Sequence, residues 1–265
     1  MAFENADFIT HQNYLKFMVS ETNNLQLKIN RKLTEKISTT EKLDKKLRLF
    51  NLTWENLKAE FEIIKIYPEY ASVCLSWLPV KTYYLIFNLS LILFYLKDSN
   101  IEAFNYTHSH IHEQLKNQLK SNDLEFSNPV FNQVVSFRET VSWPKYKNEN
   151  IKQFDNTEPT KLKHLIIRKL FHYSKDDFKR IKKIKRMTVE DTKIFNDKTM
   201  NLAEFFYWYR IKANYRDMEF IQRELGDQFL VEYYNNYLKL TLNYIQCLKK
   251  TINNLSVTRL GKEII

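Results

Sequence analysis

With 265 residues, 44% of them hydrophobic, the chain is long enough to bury a large core. Its two glycines, Gly226 and Gly261, exclude the glycine-rich phosphate loops of Rossmann and P-loop proteins, so no cofactor is expected. The net charge of +10 is almost all local: Lys161 to Arg186 holds eleven Lys or Arg against Asp176 and Asp177, a net +9 in 26 residues, and a field so concentrated points to a polyanion.

From the N-terminus, Met1 to Asp7 has two acids and no apolar run, so it does not read as a signal peptide. Tyr14 to Lys36 reads as a helix with Ile29, Leu33 and Ile37 on one side. A longer helix follows, because Leu43, Leu47, Phe50, Trp54, Leu57, Phe61 and Ile64 keep 4,3 spacing over three heptads. The two are expected to form a helical hairpin over residues 10–66. The seam can pack within the molecule or against a second copy, and Pro68 ends it.

Pro79 suits the first turn of a new helix after Ser76, running to Leu96 and apolar nearly all round. The uncharged stretch Thr82 to Leu96 is too short to span a bilayer, so a buried core helix and no membrane association are expected. Cys74 and Cys247 lack metal-like spacing and read as two buried thiols. A reducing, cytoplasmic location is the expectation.

Thr107 begins a helix carrying His108, His110 and His112. His108 and His112 share a face at i, i+4 and are a candidate metal pair, but no third ligand stands nearby, and surface histidines are the preferred reading. Residues 122–160 contain Pro129, Pro144 and Pro159 with no sustained period. They read as an irregular connection with short helices or one strand pair.

The basic segment reads as two helices. Residues 161–173 place Leu162, Leu165, Ile166 and Leu170 inward and end near Arg168 and His172, and Ser174 with Asp177 resembles a capping box opening the second. On that second helix Lys175, Lys179, Arg180, Lys182, Lys183, Lys185 and Arg186 surround Phe178, Ile181 and Ile184. These seven cations are the candidate nucleic-acid-binding residues. Arg168 and His172, one turn apart, are the candidate catalytic pair, since metal-free RNA cleavage needs a proton-transfer group near neutral pH and a cation for the phosphorane.

Asn201 with Glu204 signals another helix start, with Leu202, Phe205, Phe206, Tyr209 and Ala213 inward and Gly226 just past its end. The last helix runs from about Gln228 to Asn254. The whole is expected to be a single helical domain over 1–265, an all-α antiparallel multi-helix bundle of six to nine helices.

The segment Tyr207-Trp-Tyr-Arg-Ile-Lys-Ala-Asn-Tyr-Arg-Asp217 resembles the Arg-x-x-Ala-x-Tyr signature of the HEPN superfamily, on Arg210, Ala213, Asn214 and Tyr215, with Asn214 where the family often has Asp. The resemblance covers roughly residues 200–255. It implies a HEPN-like bundle over 76–255, a homodimer, RNA as the polymer, and a toxin or phage-defence ribonuclease with an antitoxin or defence-system partner. The family's catalytic Arg and His have four to six residues between them, whereas Arg168-Lys-Leu-Phe-His172 has three. That departure keeps open a non-catalytic module binding nucleic acid or protein through a degenerate site.

Overall fold

The computed structural model describes residues 4–146, 158–215 and 226–265, with side chains for 10–146, 158–213 and 226–265. The chain is all-α in character, 75% helix and 4% strand. Among the described residues there are nine α-helices: α1 (Glu4–Glu21), α2 (Glu41–Ile66), α3 (Ala71–Asp98), α4 (His108–Lys120), α5 (Phe137–Ser142), α6 (Pro159–Lys182), α7 (Val189–Asn196), α8 (Phe205–Tyr215) and α9 (Asp227–Leu260). Two short antiparallel ribbons join distant segments. β1 (Leu27–Ile29) pairs with β2 (Leu124–Phe126), and β3 (Val135–Ser136) with β4 (Thr199–Met200).

α3 is the central helix. Its apolar surface packs on α2, α8 and α9, with Leu75, Leu85, Leu89, Leu91, Ile92 and Leu96 fully buried. Each such side chain contributes about 1.5–3 kcal/mol when removed from water. Pro79 lies inside this helix and not at its start. The missing N–H and ring clash cost about 3 kcal/mol, and the burial of Leu75, Leu78, Thr82 and Tyr83 around it offsets that cost. The continuous helical stretch Pro68–Asp98 is therefore long and apolar enough to cross a membrane by length and composition, and 67% of its most apolar window is buried inside the protein.

The inner seam of α2 packs within the molecule: Leu43, Phe50, Leu57 and Ile64 are at most 2% exposed, and Leu47, Trp54 and Phe61 pack on the same core. The N-terminal hairpin over 10–66 does not form. α1 packs against α9 and α6, and helix ends at Glu21. The backbone of 26–30 bonds to β2, while residues 35–37 are held by α9. There Arg259 Nε donates to the Glu35 carbonyl (3.1 Å) and the Ile37 N–H donates to the Arg259 carbonyl (3.0 Å). Ile29, Leu33 and Ile37 still face the core, so the apolar assignment holds while the backbone state does not.

Side-chain caps fix most helix starts. Thr107 accepts from the His110 N–H at α4, and reciprocal capping boxes join Ser136 to Glu139, Thr188 to Asp191 and Asn201 to Glu204. Gly226, at φ −59°, flanks the start of α9, and the residues before it, 216–225, where the preceding helix is expected to end, lie outside the described residues. The 122–160 connection contains β2, β3 and α5 among its described residues.

Candidate nucleic-acid interface

α6 is one continuous helix of 24 residues. Ser174 does not cap a second helix. It sits mid-helix, 1% exposed, in a buried row with Leu162, Ile166, Leu170, Phe171, Tyr173 and Asp177. Apolar periodicity runs straight through it, and a small hydroxyl fits the close packing there. Asp177 binds Arg180 through two N–H groups, at 2.6 and 3.1 Å.

The inward row forces the cations outward. Arg168, His172, Lys175, Lys179 and Lys183 follow at steps of three or four residues, one turn of about 5.4 Å apart. The helix ends at Lys183, in the left-handed region at φ 55°, and Lys185 and Arg186 stand exposed just beyond it. Two of the seven expected contact residues are occupied locally. Arg180 binds Asp177, and Lys182 binds Asp191, where the Lys182 contact and Thr188 together hold the carboxylate down at about 2. Lys175, Lys179, Lys183, Lys185 and Arg186 make no ion pair among the described residues. Part of this charge also complements the negative end of the α6 dipole.

Arg168 and His172 share a wall of one groove of about 470 Å³ between α6 and the end of α5, together with Lys145, Tyr146 and Lys175. Their roles there differ. Arg168 donates to the carbonyls of Thr140 (3.0 Å), Trp143 (2.8 Å) and Pro144 (2.7 Å), and its guanidinium lies 5.8 Å from the Trp143 ring. The Trp143 and Pro144 carbonyls just past α5 gain a donor in this way, and the Thr140 carbonyl accepts Arg168 as well as the Trp143 N–H. His172 is exposed, with Nε2 3.2 Å from Asp176. Trp143 stacks on His164 at 3.9 Å, which pins the connection to α6. Neither Lys145 nor Tyr146 was marked by sequence pattern, because the groove wall comes from a stretch without periodicity.

The remaining sequence-marked residues meet elsewhere. The Tyr83 hydroxyl bonds His108 Nδ1 at 2.9 Å and lies 3.5 Å from His112 Nε2. Arg210 covers the Tyr83 and Tyr84 rings at 5.3 and 5.4 Å, and Tyr207 packs on His112 at 4.7 Å. Burial, with the Arg210 and Lys46 charges, lowers His108 to about 4; burial, with Lys116 and His108, lowers His112 to about 3. Both rings are therefore neutral at pH 7. His112 Nδ1 and Arg210 Nε are buried without a hydrogen-bond partner among the described residues.

His112 is thus a core residue and not a surface one, and Tyr83 occupies the place between the two rings. No group of three His, Cys, Asp or Glu gathers among the described residues. Ala213 lies on α8, half-buried; the side chains of Asn214 and Tyr215 lie outside the described residues. Nothing in the sequence marked Tyr83, which reads there as one more core aromatic. No family model, no curated protein and no solved structure matches the chain.

Proposed function

We propose that this protein is a helical nucleic-acid-binding module that holds RNA along the outer face of α6. The observation that carries the reading is the row of cations without an ion pair among the described residues, Lys175, Lys179, Lys183, Lys185 and Arg186, on one helix and the turn after it. Neutralising phosphates releases condensed counterions, so such a row binds a polyanion without reading its bases. Phe171 and Tyr173 are buried and offer no stacking platform, which favours contact with the backbone. The HEPN resemblance adds the rest of the reading: a HEPN-like bundle, RNA as the polymer, and a cytoplasmic toxin or phage-defence setting with an antitoxin-type partner.

A second reading, metal-independent endoribonuclease, is favoured by the shared groove of Arg168 and His172. In it, His172 transfers the proton of the 2′-hydroxyl or the leaving oxygen, and Arg168 neutralises the phosphorane. Three N–H donors of Arg168 are already engaged by carbonyls, which leaves binding the better supported of the two.

Both readings meet one experiment. Purified protein is incubated with labelled RNA, with and without a chelator, and binding is followed over a salt series. Binding that weakens steeply with salt and leaves the RNA intact supports the module. Cleavage unaffected by chelator and lost in both Arg168→Ala and His172→Ala establishes the nuclease. Absence of binding at low salt removes both.

A further inference from the structure

α2 carries a second heptad row besides the one it buries. Leu49, Leu52, Asn56, Ala59, Ile63 and Ile66 repeat at 3,4 spacing, and all six are exposed. At 3.6 residues per turn this row lies on the side of the helix opposite Leu43, Phe50, Leu57 and Ile64. Leu52 and Ile66 are each 69% exposed, Ile63 is 46% and Leu49 is 40%. A helix that packs on a core from one side needs only one apolar row, and its outer face is ordinarily polar. Here the charges stand off the row and pair within the helix, Lys58 with Glu55 and Lys65 with Glu62, at 2.7 Å each.

The surface continues past the helix end. Tyr67 and Tyr70, 52% and 50% exposed, meet edge to face at 6.1 Å. Taking about 200 Å² for a whole large side chain, the four aliphatics and two tyrosines present roughly 600 Å² of apolar surface. That is the top of the range for a monomer, about 300–600 Å², and most of the roughly 800 Å² that one partner gives to a stable interface.

We propose that α2 is a dimerisation helix, packing in parallel against α2 of a second copy of this chain along the outer row. Asn56 selects that occupant. A single Asn within an apolar heptad row specifies pairing and register, at a cost in stability. The Asn amide carries both donor and acceptor, so it is satisfied by another copy of itself. Parallel, in-register packing sets Asn56 against the partner's Asn56 and the small Ala59 against the partner's Ala59, with Leu49, Leu52, Ile63 and Ile66 forming the flanking layers. The two inner seams then face away from each other, each toward its own core. α2 is already held as a helix by its inner face, so pairing does not have to order it. The inference is independent of the nucleic-acid reading, since α2 and α6 are separate surfaces.

The test uses the full chain, with mass measured by light scattering after gel filtration over a concentration series. The expected result is a particle of twice 32.2 kDa, reduced to the monomer mass in Leu52→Glu/Ile63→Glu with an unchanged helical circular-dichroism spectrum. Asn56→Cys is expected to form a disulfide-linked dimer under mild oxidation, while the unsubstituted chain, whose Cys247 is buried and Cys74 half-buried, does not. A monomer at every concentration, or a dimer that survives the double substitution with fold intact, overturns the proposal. A dimer lost in the double variant but not cross-linked at Asn56 overturns the in-register parallel pairing.

Discussion

The outer face of α6 and the cluster around Tyr83 are built from the same kinds of residue and come to opposite states. Both hold arginine, histidine and aromatic rings within one or two helical turns. Around Tyr83, burial keeps the histidines neutral, and the Tyr83 and Tyr84 rings lie against the arginine. On α6 the cations face solvent, and of the seven candidate contact residues Arg180 and Lys182 find acids among the described residues. Desolvation penalises the charged form, so the same side chains become packing in one place and an electrostatic surface in the other. Spacing alone cannot separate the two, since His108 with His112 and Arg168 with His172 both satisfy a one-turn rule.

The sharpest way to break the comparison is to invert the charges of the outer row. Lys179→Glu/Lys183→Glu/Lys185→Glu/Arg186→Glu is expected to abolish RNA binding at moderate salt and leave the fold unchanged, as read by gel shift and circular dichroism. Retained affinity in the quadruple variant would place the binding surface elsewhere.

Next in size is the division of labour within the groove. Arg168→Ala removes the donor to the Trp143 and Pro144 carbonyls and one of two donors to the Thr140 carbonyl, and is expected to lower stability by about 1–3 kcal/mol, from denaturant unfolding. His172→Ala, at an exposed site, is expected to change stability by less than about 0.5 kcal/mol. Equal losses from the two would contradict the clasp assigned to Arg168.

Acid probes the buried side of the comparison. His108 and His112 have folded values of about 4 and 3 against roughly 6.5 in the unfolded chain. The unfolded state therefore binds more protons below pH 6.5. Stability is full above that pH and falls as pH drops toward 4 and then 3. The expected slope is at most about 1.4 kcal/mol per pH unit for each histidine, less for His108, which is only half-buried. His112→Phe should flatten the loss measured by thermal unfolding between pH 6.5 and 4; an unchanged slope would mean that other groups carry it.

The smallest effect lies where the cationic row turns. Lys183 holds φ 55°, a conformation that costs a residue with a Cβ about 1 kcal/mol and costs glycine little. Lys183→Gly is expected to raise stability by up to about 1 kcal/mol while weakening RNA binding by one cation's share.

Much of the fold was legible in the sequence. The inner seam of α2, the start of α4 at Thr107, the Asn201–Glu204 box and the long last helix all follow from periodicity and capping, which are local. Three features were not. Residues 27–37 have helical spacing, but their backbone bonds go to β2 and to Arg259, partners roughly 100 and 220 positions away. Pro79 and Ser174 carry start signals that buried rows on both sides override. At the site, the cationic row was visible as composition, whereas the occupation of Arg168 by α5 carbonyls depends on an irregular stretch that no pattern predicts.

The central claim is that the cations on the outer face of α6 and the turn after it bind a phosphate backbone. Its most direct measurement is the slope of log binding constant against log salt for labelled single-stranded RNA, compared between the unsubstituted chain and the quadruple Glu variant. The account predicts a linear fall with salt, with a slope shallower by about 3 in the variant, from roughly 0.7 for each phosphate that the four cations no longer neutralise. Equal slopes in the two proteins would contradict it.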